Sequence, residues 1–396
     1  MMDNIPNTKE IKRRIEDCRL NGGEALDLSR LYLTELPAEI KCLENLVDLN
    51  LSYNQLQSLP DWIGSVTSLR ELDLSGNEEL VTLPEYIGNL QSLKELSFDN
   101  CGCLRELPAT FGNLRSLEKL KLSGDSLTGA GFKKLPDSFG NLKSLKELAL
   151  SSLHELDTLP DSFGSLSSLE RLTTYGCLER LPESFGNLSA LYELSIKGSD
   201  IRDLPESFGN LSALEVLELT NTEIEKLPES FGNLKSLKYF KTFRGNLVRL
   251  PESFGNLASL KEIDLGHSST VYFPDSFGSL KSLRKIDLET GYNETLTEDP
   301  IESKKDLFEN VQMDDRIRFP ESFGNLSFLE EMHISGNIAP LPESFGNLKS
   351  LKSLSLRFWV DKENHYKGTS LGGPAYVVNE FTALPKSFGN LSSLEY

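Results

Sequence analysis

The chain of 396 residues carries 60 acidic against 41 basic residues, a net charge of −19. That balance argues against DNA, RNA or an anionic membrane surface as a partner, because each calls for clustered Lys and Arg. A hydrophobic content of 38% with 26% charged residues suits a folded soluble chain, and no apolar run approaches the roughly 18 residues a spanning helix needs.

The N-terminus, MMDNIPNTKEIKRRIEDCRL, holds no apolar signal segment. Five cysteines at irregular spacing do not read as a disulfide framework, so a reducing cytoplasm is the expected compartment. Residues 7–20 predict an amphipathic helix with Ile11, Ile15 and Cys18 on its apolar face. Residues 1–23 are expected to form a cap over whatever follows.

From residue 24 onward one word recurs. LPESFGNL occurs verbatim five times, beginning at Leu181, Leu204, Leu227, Leu250 and Leu341, and close variants fill the rest. Its prolines, from Pro37 to Pro385, are mostly 22 to 24 residues apart. Three residues after each proline stands Ile or Phe, six after it Leu (Val66 once), and nine after it always Leu. Spacing of three suits a single 3₁₀ or α turn. Proline is expected at its first helical position, and the acidic residue that follows it in 11 of 14 units at the positive end of the turn dipole. The glycine four residues after the proline is expected to let the chain leave the helix. A second pattern follows, as in Leu46-x-x-Leu49-x-Leu51-x-x-Asn54. Its Leu-x-Leu core has the period of a strand with one buried face. One such unit cannot bury enough apolar surface to fold alone, so units must stack.

This pattern resembles the leucine-rich repeat, in the short 23-residue LPxxFGxL form shared by bacterial and Ras-group repeat proteins. The resemblance spans residues 24–396 in about 14–15 units. It implies an α/β solenoid, a curved horseshoe with a concave parallel β-sheet and short convex 3₁₀/α turns. It also implies a non-enzymatic scaffold that binds another protein on the concave face, and a ninth strand-motif residue (Asn54, Asn77, Cys101, Cys177, Ser199, Thr222) that bonds neighbouring backbone from inside.

Specificity must lie where the word varies. The solvent-facing third and fifth motif positions hold eleven acidic and five basic residues, which favours a partner with a basic patch. In LKYFKTFRGNL (237–247), Thr242 replaces the usual Leu, and Tyr239, Lys241, Phe243 and Arg244 take solvent-facing slots. Tyr175 and Lys197 hold the rung of Phe243 in earlier units, and Glu218 lies one unit before Lys241. Exposed aromatics and Arg have the composition of an interface hot spot. The alternative is repeat drift, with Phe243 turned inward to replace the lost Leu.

Two segments break the period. Residues 289–319 fit a degenerate repeat. Residues 357–382 form an insertion with Trp359, His365, Tyr366 and Tyr376, readable as a partner-binding flap or as a flap packed on its own repeat. The chain stops at Leu394-Glu395-Tyr396, inside a strand motif. Either it is a fragment or another molecule covers the last edge, a second copy included, since an open edge invites pairing. Cys101-Gly102-Cys103 lacks the further ligands of a zinc site, the four histidines are scattered, and no nucleotide or hydrolase motif appears. No cofactor, metal or catalytic residue is expected. The alternative function is a secreted or surface recognition module directed at a host.

Overall fold

The computed structural model describes residues 7–124, 132–176, 178–268, 272–290, 317–336, 338–358 and 384–395. They fall into two compact units, Met1–Leu214 and Glu215–Tyr396.

The first unit opens with α1 (Thr8–Leu20), whose N-cap Asn7 accepts the Glu10 N–H at 3.2 Å. Ile11, Ile15 and Cys18 are its buried residues, as the sequence periodicity requires. Arg14 on the next face donates to the Asp27 carbonyl at 3.0 Å, tying the helix to the first strand. The strands are β1 (Ala25–Asp27), β2 (Asp48–Asn50), β3 (Glu71–Asp73), β4 (Glu95–Phe98), β5 (Lys119–Ser123), β6 (Glu147–Ser151), β7 (Arg171–Tyr175) and β8 (Glu193–Ser199). Each pairs in parallel with the next, and the register sets Leu49 against Leu72 and Leu120 against Leu148. The Leu-x-Leu segments are therefore adjacent parallel strands with their leucines in one buried column.

The second unit repeats the scheme with β9 (Val216–Thr222), β10 (Tyr239–Phe243), β11 (Glu262–Ser268), β12 (Lys285–Thr290), β13 (Glu331–Gly336) and β14 (Ser353–Phe358). β12 pairs directly with β13, Lys285 facing Glu331, and Phe277 stacks on Phe323 at 6.0 Å. The coils on either side of the expected degenerate repeat are thus direct neighbours. Residues 291–316 themselves lie outside the described residues, as do 359–383 of the insertion.

Opposite each strand runs a one-turn 3₁₀ helix, such as Glu229–Asn233. Its phenylalanine stacks on that of the next coil: Phe111, Phe139, Phe163, Phe185 and Phe208 in the first unit lie 6.1–6.3 Å apart with nearly parallel planes. Three details of this turn differ from expectation. The proline precedes the helix instead of opening it; Pro228 has ψ 155°, and its carbonyl accepts the Phe231 N–H at 3.0 Å. The acidic residue serves the following coil rather than its own. Glu229 accepts the Glu252 and Ser253 N–H groups at 3.3 and 3.1 Å, and Glu343 does the same for Lys386 and Ser387 at 3.2 and 3.3 Å. The glycine is demanded by close approach, because a Cβ on Gly232 would stand 2.2 Å from the Ser253 carbonyl oxygen.

Inside the coils, the ninth-position residue bonds backbone as the resemblance implies. Asn54 accepts the Leu31 and Leu33 N–H groups, both at 3.0 Å, and donates to the Leu28 and Leu51 carbonyls at 2.9 and 2.8 Å. Cys101 keeps one such bond, Sγ donating to the Leu74 carbonyl at 3.3 Å. Ser199 is inward too, but its hydroxyl has no protein partner among the described residues: the shorter side chain does not reach a carbonyl. Cys177 lies outside the described residues. Burial pushes the Cys101 thiol up to about 12. Cys101 is accordingly expected to resist alkylation at pH 8 in the native protein while the exposed Cys42 and Cys103 react, as peptide mapping after brief labelling would show.

Candidate partner-binding surface

Side chains between the buried leucines project from the strands into solvent or a half-exposed face. Ser195 is the exception, buried to 8% exposure. In the first unit this face is a ladder of self-paired charge. Glu95 meets Lys119 at 2.8 Å, and Arg171 bridges Glu147 and Glu193 at 2.8 and 3.3 Å. Beside it, Glu118 receives Lys94 and Lys146, both at 2.8 Å. The hydrogen bonds from Lys146 and Lys94 hold its carboxyl down to about 2. At the other end, partial burial and then the neighbouring Asp27 and Asp73 raise the Asp48 carboxyl above its ordinary value. Glu71 and Asp73 on β3 face Asp48 and Asn50 on β2, so this end of the strand face is acidic. Further along, Lys119 is committed to Glu95 on the adjacent strand, while Lys121 faces Ser97 and Ala149 in the register. Tyr175 and Lys197 face each other across β7 and β8, with Tyr175 half exposed.

In the second unit the face changes character around β10. Thr242 occupies the lost leucine position and is buried, so the core accepts the smaller residue. Phe243 does not turn inward to replace it. Its register partner on β11 is Gly266, and its ring lies over that bare backbone, 3.0 Å from where a Cβ would stand. His267 meets the ring edge-on, with centroids 5.1 Å apart and planes at 89°. The Arg244 guanidinium sits 5.5 Å from the ring centroid. Arg244 and His267 both hold left-handed backbone, φ 52° and 50°. This eighth motif position turns the chain so that the ninth points inward, and Gly76, Gly198 and Asn221 hold it elsewhere at less steric expense. Around the cluster, Tyr239 stands 39% exposed, Lys241 pairs with Asp264 at 3.2 Å, and His267 lies 3.5 Å from Glu289. Glu218 faces Lys241 in the register and accepts the Thr220 hydroxyl at 3.3 Å.

The structure thus brings Glu218 on β9, Tyr239, Lys241 and Phe243 on β10, and Arg244 directly after β10 together. Tyr175 and Lys197 belong to the first unit, and Trp359, His365, Tyr366 and Tyr376 lie outside the described residues. Sequence reasoning missed His267 and Glu289. The available signal was Gly266, an empty rung one repeat after an aromatic. Among the described residues no cluster of His, Cys, Asp or Glu could hold a metal ion, and no helix is long and apolar enough to cross a membrane.

Comparison with solved structures finds the same fold repeatedly. A leucine-rich repeat protein of Leptospira interrogans is 27% identical, with a TM-score of 0.68 over 96% of this chain and 91% of that one. An internalin of Listeria monocytogenes is 17% identical, with a TM-score of 0.60 over 89% of this chain and 98% of that one. A chain of the Toll–Spätzle complex of Drosophila is 21% identical, with a TM-score of 0.61 over 83% of this chain and 47% of that one. Among curated proteins, an adenylate cyclase of Podospora anserina is 55% identical over 42 residues, which is 11% of this chain and only 2% of the cyclase. A match that small does not bring the cyclase's activity to this chain. The family model described as leucine-rich repeat region matches residues 24–126, 62–152 and 182–313, more than half of the chain. The chain therefore belongs to the leucine-rich repeat family, whose stacked coils are typically non-enzymatic scaffolds for protein–protein interaction.

Proposed function

We propose that the strand face of the second unit, centred on Tyr239, Phe243 and Arg244, captures a partner protein. One observation carries the reading. Beside the Lys241–Asp264 pair, β10, β11 and the residue after β10 present an exposed tyrosine and an aromatic–guanidinium–imidazole cluster on register-locked backbone. Tyr and Arg are enriched among the few residues that carry most of the binding energy at interfaces. The left-handed backbone of Arg244 and His267 is shared by Tyr53, Asn100 and Ser152 at the same motif position, so it belongs to the coil and fixes the direction of these side chains. The acidic balance of the chain supports a partner with basic residues around its apolar anchor, drawn in by steering.

Tyr239→Ala combined with Phe243→Ala is expected to weaken capture of the partner about a hundredfold, by analogy with hot-spot truncations. Quantitative affinity capture from the source cells, with wild type and double variant side by side, reads this out. Circular dichroism should show both folded alike. Equal recovery of the same partners by the two proteins would remove this face from consideration.

A further inference from the structure

On the flank of the second unit, the extended stretches that lead into the Leu-Pro turns form their own narrow ladder. Lys226 bridges to Arg249, Arg249 to Tyr272, and Tyr272 to Arg318, all in parallel. Neighbouring rungs of such a ladder are about 4.8 Å apart, so four of them make a column about 14 Å long. Three of the four are cations. Lys226, Arg249 and Arg318 are exposed, and Tyr272 is half-buried between the two arginine rungs.

Several other cations of this unit are matched: Lys238 to Glu215 at 2.7 Å, Lys241 to Asp264 at 3.2 Å, and Lys352 to Glu330 at 2.7 Å, with Arg284 on the same glutamate. Lys226 and Arg249, directly opposite each other, have no ion pair or hydrogen bond from their side chains among the described residues. Two acidic neighbours are already engaged. Glu223 accepts the Asn246 side-chain amide at 2.5 Å, and Glu229 turns to the Glu252 and Ser253 N–H groups. Like charges directly opposite on paired backbone are destabilising, and the first unit avoids them at this position, where Ser58 bridges Thr82 and Thr158 bridges Arg180.

We infer that this column is a second docking surface, for an acidic, extended polypeptide segment. An extended chain rises about 3.4 Å per residue, so about four or five residues span the column. Carboxylates alternating along such a segment answer the guanidinium and ammonium groups, and Tyr272 supplies a flat apolar contact between them. A nucleic acid carries negative charge far beyond 14 Å or so of column, and the chain as a whole, at net −19, repels so extended an anion. The surface is separate from the strand face of the proposed function and does not depend on it.

The test is fluorescence anisotropy at low salt with a labelled eight-residue glutamate peptide, and in parallel a labelled single-stranded RNA octamer. The wild type should bind the peptide and lose it as salt rises. Lys226→Glu with Arg249→Glu should weaken binding at least about tenfold, since each reversal turns an attraction into a repulsion. Lys226→Gln with Arg249→Gln should fall between the two and guards against a folding defect. Tyr239→Ala with Phe243→Ala should leave peptide binding unchanged. Absence of peptide binding by the wild type, or equal binding by the charge-reversed protein, overturns the inference. Tighter binding of the RNA than of the peptide overturns the choice of partner.

Discussion

Gly232→Ala is expected to lower stability by about 3 kcal/mol or more, the upper range for overpacking a filled interior. The added methyl would meet the Ser253 carbonyl oxygen at 2.2 Å, its Cβ at 2.6 Å and its carbonyl carbon at 2.7 Å. None of these atoms is the end of a flexible side chain, so the two coils must move apart. Separation would also lengthen the Phe231–Phe254 stack, now 5.9 Å, and pull Glu229 from the turn it caps. The protein contains its own control. Gly389 holds the same place in the last described turn and has nothing within 4 Å. Gly389→Ala should be neutral or slightly stabilising, because alanine restricts the unfolded chain. Urea midpoints of the two variants would decide the matter. Equal effects would show that the glycine serves its own turn, as the sequence alone suggests, and not the approach of the next coil.

Asn54→Ala carries the second large effect, about 2–5 kcal/mol, because three of the four backbone groups this buried side chain satisfies lose their partner, the Leu51 carbonyl alone keeping a bond from Asn77. The amide binds Leu31 and Leu33 N–H and Leu28 and Leu51 carbonyls, so its loss strips both its own coil and the one before. Water cannot enter to replace it, since Asn54 is only 5% exposed among leucines. Asn54→Cys should recover part of the loss, because the thiol of Cys101 keeps one carbonyl bond at the same position. Denaturant midpoints ordered wild type, Cys, Ala would support this; a cysteine variant no better than alanine would contradict it.

These two positions show how much of the molecule could be read from its letters. The leucine columns, the one-turn helices and the strands follow from spacing, because burial imposes a fixed period on a chain that packs against copies of itself; the parallel sheet and the inward asparagine are what the resemblance to the leucine-rich repeat implies. The glycine was legible as a constraint but not as to its cause. Its clash partner is one repeat away, and only stacking distance reveals it. The same holds for Glu229, whose carboxylate reaches past its own turn to the next.

For the binding face, the unusual residues of 237–247 were visible as departures from the repeat, while the fate of Phe243 was not. Whether that ring replaced the missing leucine or stayed outside depended on the room left by Gly266 and on the edge of His267, both on the neighbouring strand. The cation column was written in the sequence at the repeat period, yet it became a surface only once the stretches carrying it paired. The sequence by itself determined the family, the coil and its buried columns, since period and hydrophobicity are properties of one strand of text. Only the tertiary structure decided how residues meet across coils, repeating ones such as Gly232 and Glu229 included, because those contacts depend on distances of a few ångströms between residues that lie some twenty positions apart.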